Sequence, residues 1–280
     1  MSDNAIYAIP KEVTDVNECG FYHVMDIPGY GVVGGIFDLR KGAREYLGNV
    51  DFKGKRVLEV GTASGFLCFY MESRGADVVA YDLSSNDLWD IVPLYNCDYE
   101  QNAAKRRESA RRLNNAFWLC HRTLNSHAKV VYGSVYTIPR EIGMVDISTF
   151  GSILLHVRDP FLALQNALRL TKETVIITDA LHGIHGLRSI PLSILGKLHF
   201  SVPALSRNLF MFPHMEFVPN PRHPGYADTW WSLSPEILKR MIAVLGFEDV
   251  SVNYHKQICY NRSVWMYTVV GHRTREHYAY

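Results

Sequence analysis

The stretch from Val57 to Asp82, VLEVGTASGFLCFYMESRGADVVAYD, constrains the fold of this chain more than any other. VLEV is an apolar run of strand type, GTASG is a glycine-rich turn, Phe66 to Arg74 is a helical run, and VVAY is a second strand ending on Asp82. Gly61 and Gly65 let the backbone bend sharply and let a ligand approach the main chain, while the helix beginning near Gly65 presents free N–H groups. Asp82, at the tip of the second strand, can accept hydrogen bonds from both hydroxyls of a ribose. The expected ligand therefore contains adenosine.

The glycine spacing and Glu59 narrow the ligand further. A dinucleotide fingerprint reads G-x-G-x-x-G, and its second glycine, which admits the pyrophosphate, is replaced here by Ala63. A carboxylate just before the turn would repel a pyrophosphate, yet it suits a ligand that carries an ammonium and a sulfonium. The pattern E-x-G-x-x-x-G with a later acid resembles the cofactor motif of class I S-adenosylmethionine-dependent methyltransferases. That resemblance implies an α/β fold, a Rossmann-like doubly wound seven-stranded sheet that ends in an antiparallel hairpin. It also implies roles: Glu59 orients the amino group of the methionine moiety, Gly61, Thr62, Ala63 and Gly65 form the turn beneath it, and Asp82 holds the ribose. Leu83, Ser134 and Val135 would bracket the adenine.

The rest of the chain fits around this unit. Residues 1–50 are rich in aromatics and glycine with few charges, FYHVMDIPGYGVVGGIFDLR above all, and are expected to be an ordered lid segment ahead of a methyltransferase domain over 51–280. In that lid Tyr22 is a candidate substrate contact and His23 a candidate catalytic base or holder of a substrate oxygen, with simple packing as the other reading. The connection after Asp82, an insertion over about 87–127, is far longer than usual and contains an expected helix from Asp98 to Leu124. Its cluster Lys105, Arg106, Arg107, Arg111 and Arg112 reads either as a solvated face diluted by Glu100 and Glu108 or as a contact for RNA or a phosphorylated substrate.

KVVYGSVYTIP is the third expected strand, VDISTFGSILLHV the fourth and ETVIITDAL the fifth, with the amphipathic helix RDPFLALQNALRL before the last. In open α/β sheets the ligand lies at the carboxyl ends of the strands, which brings Phe150 to His156 to the cofactor and makes His156 the main candidate catalytic residue. A second insertion, over 182–228, carries Leu195, Leu198, Phe200, Leu209, Phe210, Met211, Phe212, Met215 and Phe217. It suits an apolar cap over a cleft or, alternatively, a protein-contact surface. HGIH at His182 and His185, with His199, His214 and His223, lacks a carboxylate or thiol at ligand spacing, so no metal site is expected. Trp230 and Trp231 are read as opening the helix SPEILKRMIAVLGF, with Trp230 a candidate substrate wall, and FEDVSVNYHK and SVWMYTVVGHR follow as the sixth and seventh strands.

Composition adds limits. The 280 residues carry a net charge of +1 with 48% hydrophobic content, so nothing global points to nucleic acid or an anionic membrane. The start MSDNAIYAIPKEVTD lacks a signal-peptide core, Ile190 to Phe212 is broken by Lys197, Arg207, Pro191 and Pro203, and the five cysteines share no C-x-x-C spacing. A soluble cytoplasmic protein, monomer or homodimer, with reduced thiols is the expectation.

FYHVMDIPGYGVVGGIFDLR, RVLEVGTASGF, LLHVRDPFLALQNALRL and TWWSLSPEILKRMIAVLGFEDV, in that order, resemble the group of class I methyltransferases that includes the tRNA wobble-uridine carboxymethyltransferase and its small-molecule relatives. The resemblance implies S-adenosyl-L-methionine as cofactor and methyl transfer to oxygen, nitrogen or carbon of a small metabolite, with tRNA uridine modification as the alternative. A non-catalytic adenosyl-binding protein whose cap recruits a partner is the third reading. A carboxylated form of the cofactor would need a cation near the methyl position, for which Arg40 is the nearest candidate.

Overall fold

The structure is a computed structural model that describes residues 6–87, 89–181, 213–222 and 228–275. In chain order, β1 (Met25–Ile27) and β2 (Gly31–Val33) form a hairpin, β3 (Phe37–Asp38) joins the main sheet, and α1 (Ala43–Tyr46) is a single turn. β4 (Arg56–Val60), α2 (Phe66–Ser73), β5 (Asp77–Asp82), α3 (Tyr99–Thr123), β6 (Lys129–Tyr132), β7 (Val145–Gly151), α4 (Pro160–Leu168) and β8 (Thr171–Ala180) build the parallel part. β9 (Met215–Phe217) pairs with β10 (Trp231–Leu233), and α5 (Pro235–Val244) leads to the antiparallel hairpin β11 (Asp249–Cys259) and β12 (Arg262–His272). The main sheet runs β3-β11-β12-β8-β7-β4-β5-β6.

Strand residues alternate between two cores, which is what helices on both faces require. Val57 of β4, Val78 and Ala80 of β5, Ile147 of β7 and Ile176 of β8 join the core that α2 and α3 cover with Leu67, Met71, Phe117 and Leu119. Leu58, Val60, Val79, Tyr81, Phe150, Val175 and Ile177 join the opposite core, closed by Ala163, Leu164 and Leu168 of α4 and Leu238 and Ile242 of α5. The doubly wound expectation holds. The sheet has eight strands rather than seven, because the N-terminal segment contributes β3, with Phe37 opposite Cys259 and Asp38 opposite Ile258.

α3 matches the expected helix, and Asp98 caps it by accepting from the Gln101 amide at 2.9 Å. The tryptophan pair does not open a helix: Trp231 begins β10, and α5 starts only at Pro235, where Ser234 caps by accepting from the Ile237 amide. Ser234-Pro235, with which the expected helix SPEILKRMIAVLGF begins, is the start signal, since proline suits the first helical turn and serine its cap. Of the 182–228 insertion, residues 182–212 and 223–227 lie outside the described residues, and with them His182, His185, His199, His223 and most of the apolar residues assigned to the cap.

The N-terminal segment is fastened to the sheet by a buried polar network. The Gln257 amide nitrogen donates to Gly42 O and to His255 Nδ1, His255 Nε2 donates to Thr268 Oγ1, and the Thr268 hydroxyl reaches Tyr46 O. An amide nitrogen only donates, so His255 accepts at Nδ1 and is neutral. Burial holds its pKa down at about 4.

Candidate active site

β4 delivers Glu59 and then a turn that runs through left-handed backbone. Gly61 has φ of 82°, Ala63 50° and Gly65, which begins α2, 87°. A Cβ on Gly61 would stand 2.1 Å from Ile153 Cδ1, so this position is glycine for space as well as for conformation. Ala63 accepts the strain of a left-handed residue, worth about 1–2 kcal/mol, and in that pose its amide donates to Asp82 Oδ2 at 2.7 Å. The Leu83 amide donates to Asp82 Oδ1 at 2.7 Å. The carboxylate is thus fixed at the end of β5, and burial still raises it to about 6 against those two amides. Glu59 is 3% exposed. The Thr62 hydroxyl donates to its Oε2 at 2.6 Å, and burial raises it to about 8.

The next wall is the exit of β6, where the Tyr81 hydroxyl donates to Ser134 O at 2.8 Å and Ser134 Oγ accepts from the Tyr136 amide at 3.3 Å. A Cβ on Gly133 would meet Tyr81 Oη at 2.5 Å, so the backbone is pressed against the ring. The end of β7 supplies Gly151, Ser152, Ile153 and His156. His156 Nδ1 lies 2.5 Å from Asp228 O. A carbonyl oxygen can only accept, so Nδ1 carries the proton and Nε2 keeps the free lone pair. Burial holds the imidazole below its ordinary pKa. Asp228 is in turn paired with Arg106 at 2.7 Å, and the Arg106 guanidinium lies over the Trp89 ring, whose centroid is 6.2 Å from that of His156.

The N-terminal segment lines the site with Tyr22 and His23. Ser64 Oγ accepts from the amides of Tyr22 at 3.3 Å and His23 at 3.4 Å, which moors this segment on the residue after Ala63. Burial raises the Tyr22 hydroxyl and depresses His23 to about 3.

These walls enclose a cavity of about 150 Å³. Tyr22, His23, Glu59, Gly61, Ala63, Asp82, Leu83, Ser134, Val135 and His156 all line it. Thr62, Gly65, Phe150 and Trp230 do not. Thr62 stands behind Glu59, and Gly65 faces Phe69 and Phe117. Phe150 is opposite Val60 in the sheet and shares its core, leaving the backbone-only Gly151 toward the cavity. Trp230 braces the site from outside, donating from Nε1 to Asp90 O at 2.5 Å and from its amide to Leu155 O at 2.8 Å.

Trp89, Asp90 and Tyr136 also line the cavity and were not picked out from the sequence. The Tyr136 hydroxyl donates to Asp90 Oδ2, which also accepts from the Arg158 amide at 2.8 Å. The available signal was WDIV inside the long connection, an apolar run whose Ile91 and Val92 are buried. Among the described residues no group of three His, Cys, Asp or Glu is placed to hold a metal, and no helix is long and apolar enough to cross a membrane.

No family model and no curated protein matches the chain. Solved structures do resemble it. The N-terminal domain of EvdMO1, crystallised in the presence of SAH and D-fucose, shares 16% identity over 92% of this chain and 93% of its own, with a TM-score of 0.50. The same domain with SAH bound gives the same values. Magnesium protoporphyrin IX methyltransferase (ChlM) from Synechocystis with bound SAH shares 12% over 84% of this chain and 82% of its own, with a TM-score of 0.46. At such identities the likeness to the EvdMO1 domain is one of fold alone, a Rossmann-like α/β sheet.

Proposed function

We propose that this protein is an S-adenosylmethionine-dependent methyltransferase that acts on an uncharged small molecule. The observation that carries this is the pair of carboxylates Glu59 and Asp82 at the ends of adjacent strands, framing one glycine turn at one cavity. Asp82 has both oxygens pinned by backbone amides, so its remaining lone pairs are set for two ribose hydroxyls. Glu59, once ionised, is the anion for the ammonium of the methionine end. When bound, the cofactor would supply an electrophilic methyl group on a positively charged sulfur. In-line displacement then asks the chain mainly to hold the acceptor in place, and His156, which lines the cavity and carries its proton on Nδ1, can take the acceptor's proton at Nε2.

An acceptor without negative charge is supported by what the cavity lacks among the described residues: its lining contains no Lys or Arg. Four of the five cations of the basic run on α3, all but the exposed Arg107, have partners within the chain. Arg106 pairs with Asp228, Arg111 with Glu108, Arg112 donates to Cys19 O, and Lys105 donates to Gln101. That weighs against the RNA reading. Arg40 is held by Asp38 at 2.7 Å and is outside the lining, which weighs against a carboxylated cofactor. D-fucose in the EvdMO1 crystals is a neutral hydroxylated molecule of the kind such a site would suit.

The test is incubation of the purified protein with methyl-labelled cofactor and separate metabolite and RNA fractions. Label in a small molecule supports the proposal, and label in RNA replaces it with the second reading. Cofactor binding without transfer to any fraction would favour a non-catalytic adenosyl-binding protein.

A further inference from the structure

The two histidines on the cavity offer it opposite hydrogen-bonding polarity. His156 is bare at Nε2 because a carbonyl takes the Nδ1 proton. His23 is 5% exposed, and its Nδ1 is sealed away with no partner. An N–H buried without an acceptor is rarer and costlier than a bare acceptor nitrogen, so the proton of neutral His23 belongs on Nε2, the ring's other edge. At neutral pH the ring is uncharged, since burial holds it far below the ordinary histidine range.

The position of this donor decides what it reads. The His23 amide is anchored to Ser64 Oγ, and its ring lies beside Phe66, with centroids 5.7 Å apart, at the first turn of α2. It therefore sits by the glycine turn that follows β4 and by the start of α2. Resting on the cofactor reading above, we propose that His23 is a cofactor-binding residue rather than a base, its Nε2–H donating to the α-carboxylate of the adenosyl ligand. The α-carboxylate shares a carbon with the ammonium assigned to Glu59, so both belong at this end. With no Lys or Arg in the described lining, a neutral donor is what the chain offers that carboxylate there.

Titration calorimetry with two ligands tests this. S-adenosylhomocysteine carries the amino-acid end, and methylthioadenosine has the same nucleoside without it. His23→Phe keeps a ring in place and removes the donor. The expected result is a loss of about 10- to 100-fold in affinity for S-adenosylhomocysteine, the scale of a hydrogen bond to a charged group, with methylthioadenosine changed less than about twofold. His23→Asn, which keeps a donor, is expected to recover part of the loss. Unchanged S-adenosylhomocysteine binding in His23→Phe overturns the proposal, and equal weakening of both ligands makes His23 a packing ring instead. Failure of the unaltered protein to bind either ligand overturns the cofactor reading, and this proposal with it.

Discussion

Cofactor binding should release a proton, and the size of that release follows from Glu59. Its raised pKa of about 8 means that the carboxyl is mostly protonated in the free protein at pH 7. To face an ammonium it must ionise. At one unit below its pKa about nine-tenths of the molecules carry the proton, and ionising the group costs about 1.4 kcal/mol of the binding free energy. The ligand's own amine, with an ordinary pKa near 7.7–8.0, takes back roughly a tenth of a proton on binding. Asp82, raised to about 6, adds a comparable small release.

The net expectation is about 0.8–0.9 proton released per ligand at pH 7. Affinity should then strengthen close to tenfold per unit between about pH 6.5 and 7, more slowly above that, and level off near pH 8, where Glu59 is half ionised in the free protein and the amine of the free ligand begins to lose its charge. Calorimetric titrations with S-adenosylhomocysteine in buffers of different ionisation enthalpy measure the release directly. Glu59→Gln should abolish most of it and flatten the affinity profile below pH 8. A release near zero at pH 7 in the unaltered protein, or a dissociation constant that stays constant from pH 6.5 to 8, would refute the assignment of Glu59 to the ammonium.

Three further outcomes are expected. At Ala63, where φ is 50°, a β-branched side chain is a far worse fit than alanine. Ala63→Val should therefore lose at least about 1–2 kcal/mol of stability and weaken S-adenosylhomocysteine binding, whereas Ala63→Gly should keep both, as read by urea unfolding and calorimetry. His156→Ala should lower kcat about 10²–10⁴-fold with little change in cofactor affinity if the acceptor is protonated at working pH; at saturating cofactor, the fall of rate with acid should begin only below the usual histidine value of about 6.5, because the pKa of His156 is depressed. His255 has a folded pKa of about 4 against about 6.5 unfolded, so only the unfolded chain takes up its proton between those values and stability falls as pH falls. This costs about 2 kcal/mol between pH 7 and 5, and His255→Gln should remove that part of the pH dependence measured by urea unfolding.

The part of the cavity proposed to hold the cofactor was legible in the sequence because its residues are local. Glu59, Gly61, Ala63 and Asp82 belong to one strand-turn-helix-strand unit whose geometry is set by short-range backbone rules, and they meet at one cavity. The acceptor half is assembled from long-range contacts that no spacing encodes. Trp89 reaches the cavity because Arg106, on α3, spans from its ring to Asp228, and Asp228 in turn fixes the tautomer of His156. The same logic explains the two misplaced aromatics. Phe150 lies at the expected strand end, but the period of two sends its side chain to the core while its neighbour Gly151 faces the cavity. Trp230 is outside the lining, and its indole N–H is taken by Asp90 O, so it holds the Trp89–Asp90 segment in place. If the protein is a methyltransferase as proposed, substitutions at Arg106 or Trp230, which hold the connection after β5 against the site, should alter acceptor use before they alter cofactor binding.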